Sequence, residues 1–231
     1  MNILKPFFSF FGSKWRASKY YPKPKYNTII EPFAGSAGYS LRHFNKSVIL
    51  IDKDPIICEI WKYLVSVSQQ EILNLPDIDP HQRIDSLNIP ISAQYLIGLC
   101  VHRATTAPGK TKSTWSVQYP QWTWCNNIRV RIANQLKYIR HWQILNADYK
   151  NIPNIEATWF IDPPYIDKGY RYRFNSTSID YKNLSSFCLK RKGQTIVCEQ
   201  DGANWLPFKY FRHMKSTHGF SKEVVYTSYN P

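Results

Sequence analysis

Two short apolar runs end in breaks that no helix interior tolerates. Residues 27–31 (NTIIE) run into Pro32 and the stretch Ala34-Gly35-Ser36-Ala37-Gly38, and residues 158–161 (TWFI) run into Asp162-Pro163-Pro164-Tyr165. Proline removes a backbone donor and locks φ, so an ordered element must stop at each break. Brief, unalternating apolar runs of this length fit strands buried on both faces. Residues 47–51 (SVILI), closing on Asp52, give a third such run, and 143–145, 194–198, 210–214 and 223–229 give four more. Helical patterns separate several of them. A helix is predicted after the glycine-rich stretch through about Asn45, and another from Pro55 with Ile56, Ile57, Ile60, Trp61 and Leu64 on one side. Strands alternating with helices predict an α/β fold with a mostly parallel sheet. The last two runs are too close together for a crossover, so the final strand is predicted to be antiparallel.

Between Gln70 and Trp142 the character changes. Pro76, Pro80 and Pro90 punctuate a linker-like stretch, and residues 91–105 read as helical. Residues 107–125 carry Gly109, two prolines, three tryptophans and two lysines without helical period, which fits a β-hairpin or a long loop. Residues 126–142 read as a basic helix whose apolar stripe is Ile128, Ile132, Leu136 and Ile139. No apolar run reaches the roughly 18 residues that span a bilayer. The opening MNILKPFFSFFGSKW lacks a leading basic segment and a small-residue cleavage site, so it is read as part of the mature fold. The five cysteines include no C-x-x-C pair and the six histidines no metal-ligand spacing, so reduced thiols and no metal are expected.

Charge narrows the function classes. Lysine and arginine number 30 against 16 acids, a formal net charge of +14, which favours a polyanionic partner. The excess is blocked. Lys5, Lys14, Arg16, Lys19, Lys23 and Lys25 precede the first acid, Glu31, and Arg103, Lys110, Lys112, Arg129, Arg131, Lys137 and Arg140 lie in the acid-free interval between Asp85 and Asp148. Lys168, Arg171 and Arg173 form a third block. A solvated basic surface would carry the same residues, but aromatics interleaved in two of the blocks favour nucleic acid.

Asp162-Pro163-Pro164-Tyr165 is the sharpest motif. A given four-letter string occurs by chance in about one chain per thousand of this length. Open α/β sheets bind ligands beyond the carboxyl ends of their strands. A stiff acceptor pair beside an aromatic face suits a planar amine such as a nucleobase. Glu31-Pro32-Phe33-Ala34-Gly35-Ser36-Ala37-Gly38 offers close backbone approach to a ligand, and Asp52 ends the next strand, where an acid commonly accepts hydrogen bonds from a ribose.

With Phe10-Phe11-Gly12-Ser13-Lys14, Ile51-Asp52-Lys53-Asp54 and Asn146-Ala147-Asp148-Tyr149 added in order, the chain resembles the Dam-type family of DNA adenine-N6 methyltransferases. The resemblance implies a Rossmann-like fold using S-adenosylmethionine (SAM) without a metal. Residues 1–70 and 143–231 would form the catalytic domain, and 71–142 an inserted target-recognition region. Phe10, Gly12, Ser13, Lys14, Glu31, Pro32, Phe33, Ala34, Gly35, Ser36, Asp52, Lys53, Asp148, Tyr149 and Asp162 would meet the cofactor, and Asp162, Pro163, Pro164 and Tyr165 the target base. The sequence departs from the family at Ala37, where glycine is usual, and at Phe10, where tryptophan is common.

Double-stranded DNA is the expected partner. Arg103, Lys110, Lys112, Arg129, Arg131, Lys168, Arg171 and Arg173 are candidate contacts, with Tyr119, Trp122 and Trp124 as stacking or wedge residues or, equally, as packing for the small region. The family implies a monomeric, cytoplasmic enzyme of bacterial or phage origin, in a regulatory, restriction-modification or genome-protecting role. Cytosine N4 or RNA as substrate, and a catalytically inactive DNA binder, are the competing readings.

Overall fold

A computed structural model of the chain describes residues 3–216 and 219–230. Its centre is a seven-stranded sheet of β1 (Thr28–Glu31), β2 (Ser47–Asp52), β3 (Gln143–Asn146), β4 (Ala157–Ile161), β5 (Gly193–Gln200), β6 (Lys209–Ser216) and β7 (Gly219–Asn230). The spatial order is β3-β2-β1-β4-β5-β7-β6. The first five strands pair in parallel, and β7 lies antiparallel between β5 and β6. The predicted Rossmann-like sheet with an antiparallel last strand is therefore observed. The order reverses between β1 and β4, which opens a crevice at their carboxyl ends.

Side chains of successive strand residues leave opposite faces, and both faces are covered. Ile29, Leu50, Phe160 and Cys198 join one apolar cluster, while Ile30, Ile51, Trp159 and Val197 join the other. Helix α1 (Pro55–Ser66) begins where Pro55 sets the first turn and the Asp54 carboxylate accepts from Ile56 N at 3.0 Å. Its Trp61, 1% exposed, packs on Phe7 and Phe8. The N-terminal apolar segment thus belongs to the core.

Around that cluster lie α2 (Gln69–Leu73), α3 (Ile91–Cys100), α4 (Thr114–Gln118) and α5 (Asn126–Leu136), with α3 against α1 and α5 against α2. Ile132, Leu136 and Ile139 of the predicted stripe are buried and Ile128 half-buried. Helix α6 (Tyr181–Leu189) covers the other face through Leu184, Phe187 and Cys188.

Two local expectations are corrected. The helix predicted through Asn45 is a single 3-10 turn at Ser40–Arg42. Ala37 turns the chain with φ of +52°, and Ser40 N donates to Glu31 Oε1 at 2.7 Å instead of continuing a helical ladder. Residues 107–125 form no hairpin; they hold α4, capped by Ser113, and a 3-10 turn at Pro120–Trp122. The five cysteines are free thiols. No helix among the described residues is long and apolar enough to cross a membrane.

Candidate active site

Each of the four parallel strands at the crevice delivers an acid to the same edge of the sheet: Glu31 from β1, Asp52 from β2, Asp148 after β3 and Asp162 after β4. They line one open cleft of about 990 Å³, a volume that includes the open space at its mouth. All fifteen residues assigned above to the cofactor line it, from Phe10 to Asp162.

The loop after β1 is shaped by backbone approach. Gly35 (φ +45°) donates its N–H to Asp52 Oδ2 at 2.9 Å, and its carbonyl accepts from Trp61 Nε1 at 2.8 Å. Asp54 N donates to Asp52 Oδ1 at 2.9 Å. Burial pushes the Asp52 carboxyl up to about 6 against these two N–H groups. Ser36 Oγ donates to Ser13 Oγ at 2.8 Å, which ties this loop to the Phe10–Lys14 turn. That turn needs Gly12 (φ +73°), where a Cβ would strike the Tyr172 hydroxyl. Lys53 pairs with Asp148 at 3.0 Å. Burial raises the Asp148 carboxyl, but the Lys150 N–H and the Lys53 ammonium hold it below its usual value. Phe33 and Tyr149 face each other with ring centroids 5.4 Å apart.

At the end of β4, Lys14 Nζ sits 2.8 Å from Asp162 Oδ1 and 2.9 Å from Oδ2. The ammonium therefore faces both carboxylate oxygens, with the better hydrogen-bond geometry at Oδ2. Burial drives the Asp162 carboxyl up to about 6, with Lys14 opposing. For Lys14, burial favours the neutral amine, yet Asp162 and Glu223 hold the ammonium well above its ordinary pKa. Lys14 Nζ also lies 4.7 Å from the Tyr165 ring centre. The motif backbone is pinned: Gly169 N donates to Tyr165 O at 2.7 Å, and Tyr181 OH to Pro164 O at 2.5 Å. Among the described residues nothing donates to Pro163 O. Pro164 lines the cleft, whereas Pro163 is buried beneath it and Tyr165 packs half-buried beside it.

The far wall was not assigned to the cofactor site from sequence. Tyr172, Phe174, Ser178 and Ile179 close the cleft, with Tyr172 OH donating to Phe11 O at 3.1 Å. The alternation Tyr170-Arg171-Tyr172-Arg173-Phe174 held the signal, since every second residue is aromatic.

The candidate DNA residues divide. Arg103, Lys110, Tyr119, Trp122, Lys168, Arg171 and Arg173 are exposed, Trp122 to 70%. Lys110 lies 3.5 Å from Asp85, and Arg173 3.5 Å from Asp54 at the cleft. Lys112 and Arg131 are half-buried. Trp124 and Arg129 are corrections. Trp124 is 1% exposed with Nε1 donating to Pro76 O at 2.9 Å, and Arg129, 7% exposed, pairs with Asp77 at 2.6 Å. Both lock the 71–142 segment together and present no surface to a duplex. Among the described residues no group of three His, Cys, Asp or Glu is placed to hold a metal.

No family model matches the chain, and no curated protein matches it. Among solved structures, it is similar to a conserved hypothetical protein of Streptococcus pyogenes at 11% identity, covering 88% of this chain and 86% of that one, with a TM-score of 0.39. It is similar to "Putative methyltransferase yhhF" from Escherichia coli at 10% identity, covering 88% and 76%, with a TM-score of 0.38. A third, "putative methylase HI0767" from Haemophilus influenzae, is 10% identical over 88% and 80%, with a TM-score of 0.35. At such scores these likenesses carry no chemistry, which rests on the residues above.

Proposed function

We propose that the protein is a Dam-type DNA methyltransferase, transferring a methyl group from SAM to the N6 amino group of a flipped adenine. The observation that carries this reading is the Asp162 carboxylate, placed at the switch-point crevice at the end of β4 and lining the cleft beside the Lys14 ammonium. Pro163 and Tyr165, next to it in the chain, would add a carbonyl acceptor and a stacking ring. Two acceptors and a stacking face fit an exocyclic amine.

The remaining cleft fits SAM. Asp52 has lone pairs left for a ribose diol, Phe33 and Tyr149 offer apolar faces to an adenine ring, and Lys14 offers a cation to a carboxylate. SAM supplies an electrophilic methyl group when bound. The residues of this chain do the rest. Asp162 and Pro163 O accept from the target amine and aim its lone pair into the cleft, and Asp162 stabilises positive charge growing on nitrogen. Tyr165 stacks on the base, offsetting part of the few kcal/mol that extrusion costs. The test is transfer of labelled methyl from SAM to DNA lacking methyladenine, followed by nucleoside analysis. N6-methyladenine supports the reading; N4-methylcytosine, product on RNA alone, or SAM binding without product overturns it.

Two further outcomes are expected. Asp162 must be ionised to stabilise the positive charge growing on the amine, and burial pushes its carboxyl up to about 6. The rate of methyl transfer under single-turnover conditions should therefore rise through about pH 6 and level off above it. A rate independent of pH between 5 and 8 would remove Asp162 from that role. The second concerns DNA, for which the 71–142 segment is proposed as the target reader. Arg103 and Arg171 are exposed and hold no ion pair among the described residues. Neutralising each to glutamine should flatten the dependence of log K on log salt by about 0.9. Arg129→Gln should instead lower the melting temperature and leave that slope alone.

A further inference from the structure

Glu223 belongs to none of the motifs above, yet the fold carries it to the active site. It lies on β7 opposite Gln200 of β5, and its side chain is 4% exposed. Oε1 accepts two hydrogen bonds, from Tyr21 OH at 2.5 Å and from Tyr165 OH at 3.0 Å, while the buried Oε2 accepts none. No cation among the described residues is within ion-pair distance of it. Burying a carboxylate so incompletely satisfied is unfavourable, so a purely structural account of this side chain is poor. Packing alone would be served better by an apolar residue.

What the carboxylate does is fix the tip of a ring whose base is already fixed. The Tyr165 backbone is held by Gly169 N, and its hydroxyl by Glu223. Glu223 is in turn held by Tyr21, whose ring is stacked on Phe211 at 4.7 Å and 5° and packs edge-on against Phe160 of β4 at 5.2 Å. A hydroxyl bonded to a carboxylate makes a stronger and better directed contact than a neutral pair. We propose that Glu223 is a positioning residue for methyl transfer, acting through the Tyr165 hydroxyl to set the plane on which the target base stacks. This role rests on the reading of the site given above. It also explains why the motif carries tyrosine rather than phenylalanine in this chain: the ring stacks, and the hydroxyl aligns it.

Glu223 is absent from the lining of the cofactor cleft, so its loss should spare SAM binding. The test is a double-mutant cycle of Glu223→Gln and Tyr165→Phe, reading kcat and KM for DNA, SAM affinity by calorimetry and melting temperature. Misaligning a reacting group by an ångström costs on the order of 10²-fold. Each single variant is expected to lose roughly 10- to 100-fold in kcat with SAM affinity within about twofold. The double variant should lose no more than the worse single one, because both remove the same bond. Tyr165→Phe keeps the packing and supplies the answer if Glu223→Gln does not fold. Losses that multiply in the double variant, or Glu223→Gln at wild-type kcat, overturn this role while leaving the reading of the site standing. No methylated adenine from the wild-type protein overturns that reading, and this role with it.

Discussion

Asp162→Asn should lower kcat for methyl transfer by about 10²- to 10³-fold, the size of losing one preorganised group that meets charge as it forms. Asparagine keeps the shape of the side chain and one acceptor, but it removes the negative charge that faces the growing positive charge on nitrogen. SAM should still bind, because Asp52, Asp148 and the 31–38 loop are untouched. A stability cost is expected as well. Lys14 is 11% exposed and loses its nearest carboxylate, which costs up to about 3 kcal/mol for a pair this enclosed. The Gly12 carbonyl, 3.0 Å from Nζ, and nearby Glu223 limit that loss. The measurements are single-turnover transfer at saturating SAM, calorimetry with SAM, and a thermal melt. An Asp162→Asn protein with wild-type turnover would sink the mechanism.

Gly38→Ala should damage both cofactor affinity and stability. A Cβ at Gly38 would lie 2.5 Å from Trp15 N and 2.8 Å from Lys14 C. Both are backbone atoms and cannot rotate away, so the Phe10–Lys14 turn must move. Overpacking of this kind costs about 1–3 kcal/mol. The larger consequence is local. Shifting Lys14 by even an ångström uncouples it from Asp162 and from the ligand end that it would hold, so SAM affinity should fall and methyl transfer should slow on the order of 10²-fold. Calorimetric titration of the folded variant with SAM checks this. Unchanged affinity would show that the turn does not depend on close approach at Gly38.

Ala37 shows how a sequence departure reads in three dimensions. It occupies the left-handed region at φ +52° and is fully buried, so the position does ask for glycine geometry. Alanine meets that requirement at a cost of roughly 1 kcal/mol, supported by Tyr39 stacked on Phe160 at 4.4 Å just beyond it.

Much of this protein was legible in one dimension because its information is local. A buried parallel strand must be continuously apolar, and the turn at its end must hold proline, glycine or an acid. The strands and the acids Asp52 and Asp162 at their ends could therefore be read off the chain, as could the antiparallel end of the sheet; Glu31 and Asp148, which line the same cleft, came from the resemblance. What lay beyond reach depends on packing between distant segments. Trp124 and Arg129 resemble DNA contacts by composition, and only the fold buries one under Pro76 and pairs the other with Asp77. Glu223 sits in an unremarkable strand 58 residues from Tyr165, so no spacing rule points to it. The sequence determined which strands form and what chemistry stands at their ends, since pleat, proline and glycine act over a few residues. The tertiary structure alone decided which side chains reach those ends from elsewhere and which basic residues face solvent, since both follow from long-range burial that local patterns do not encode.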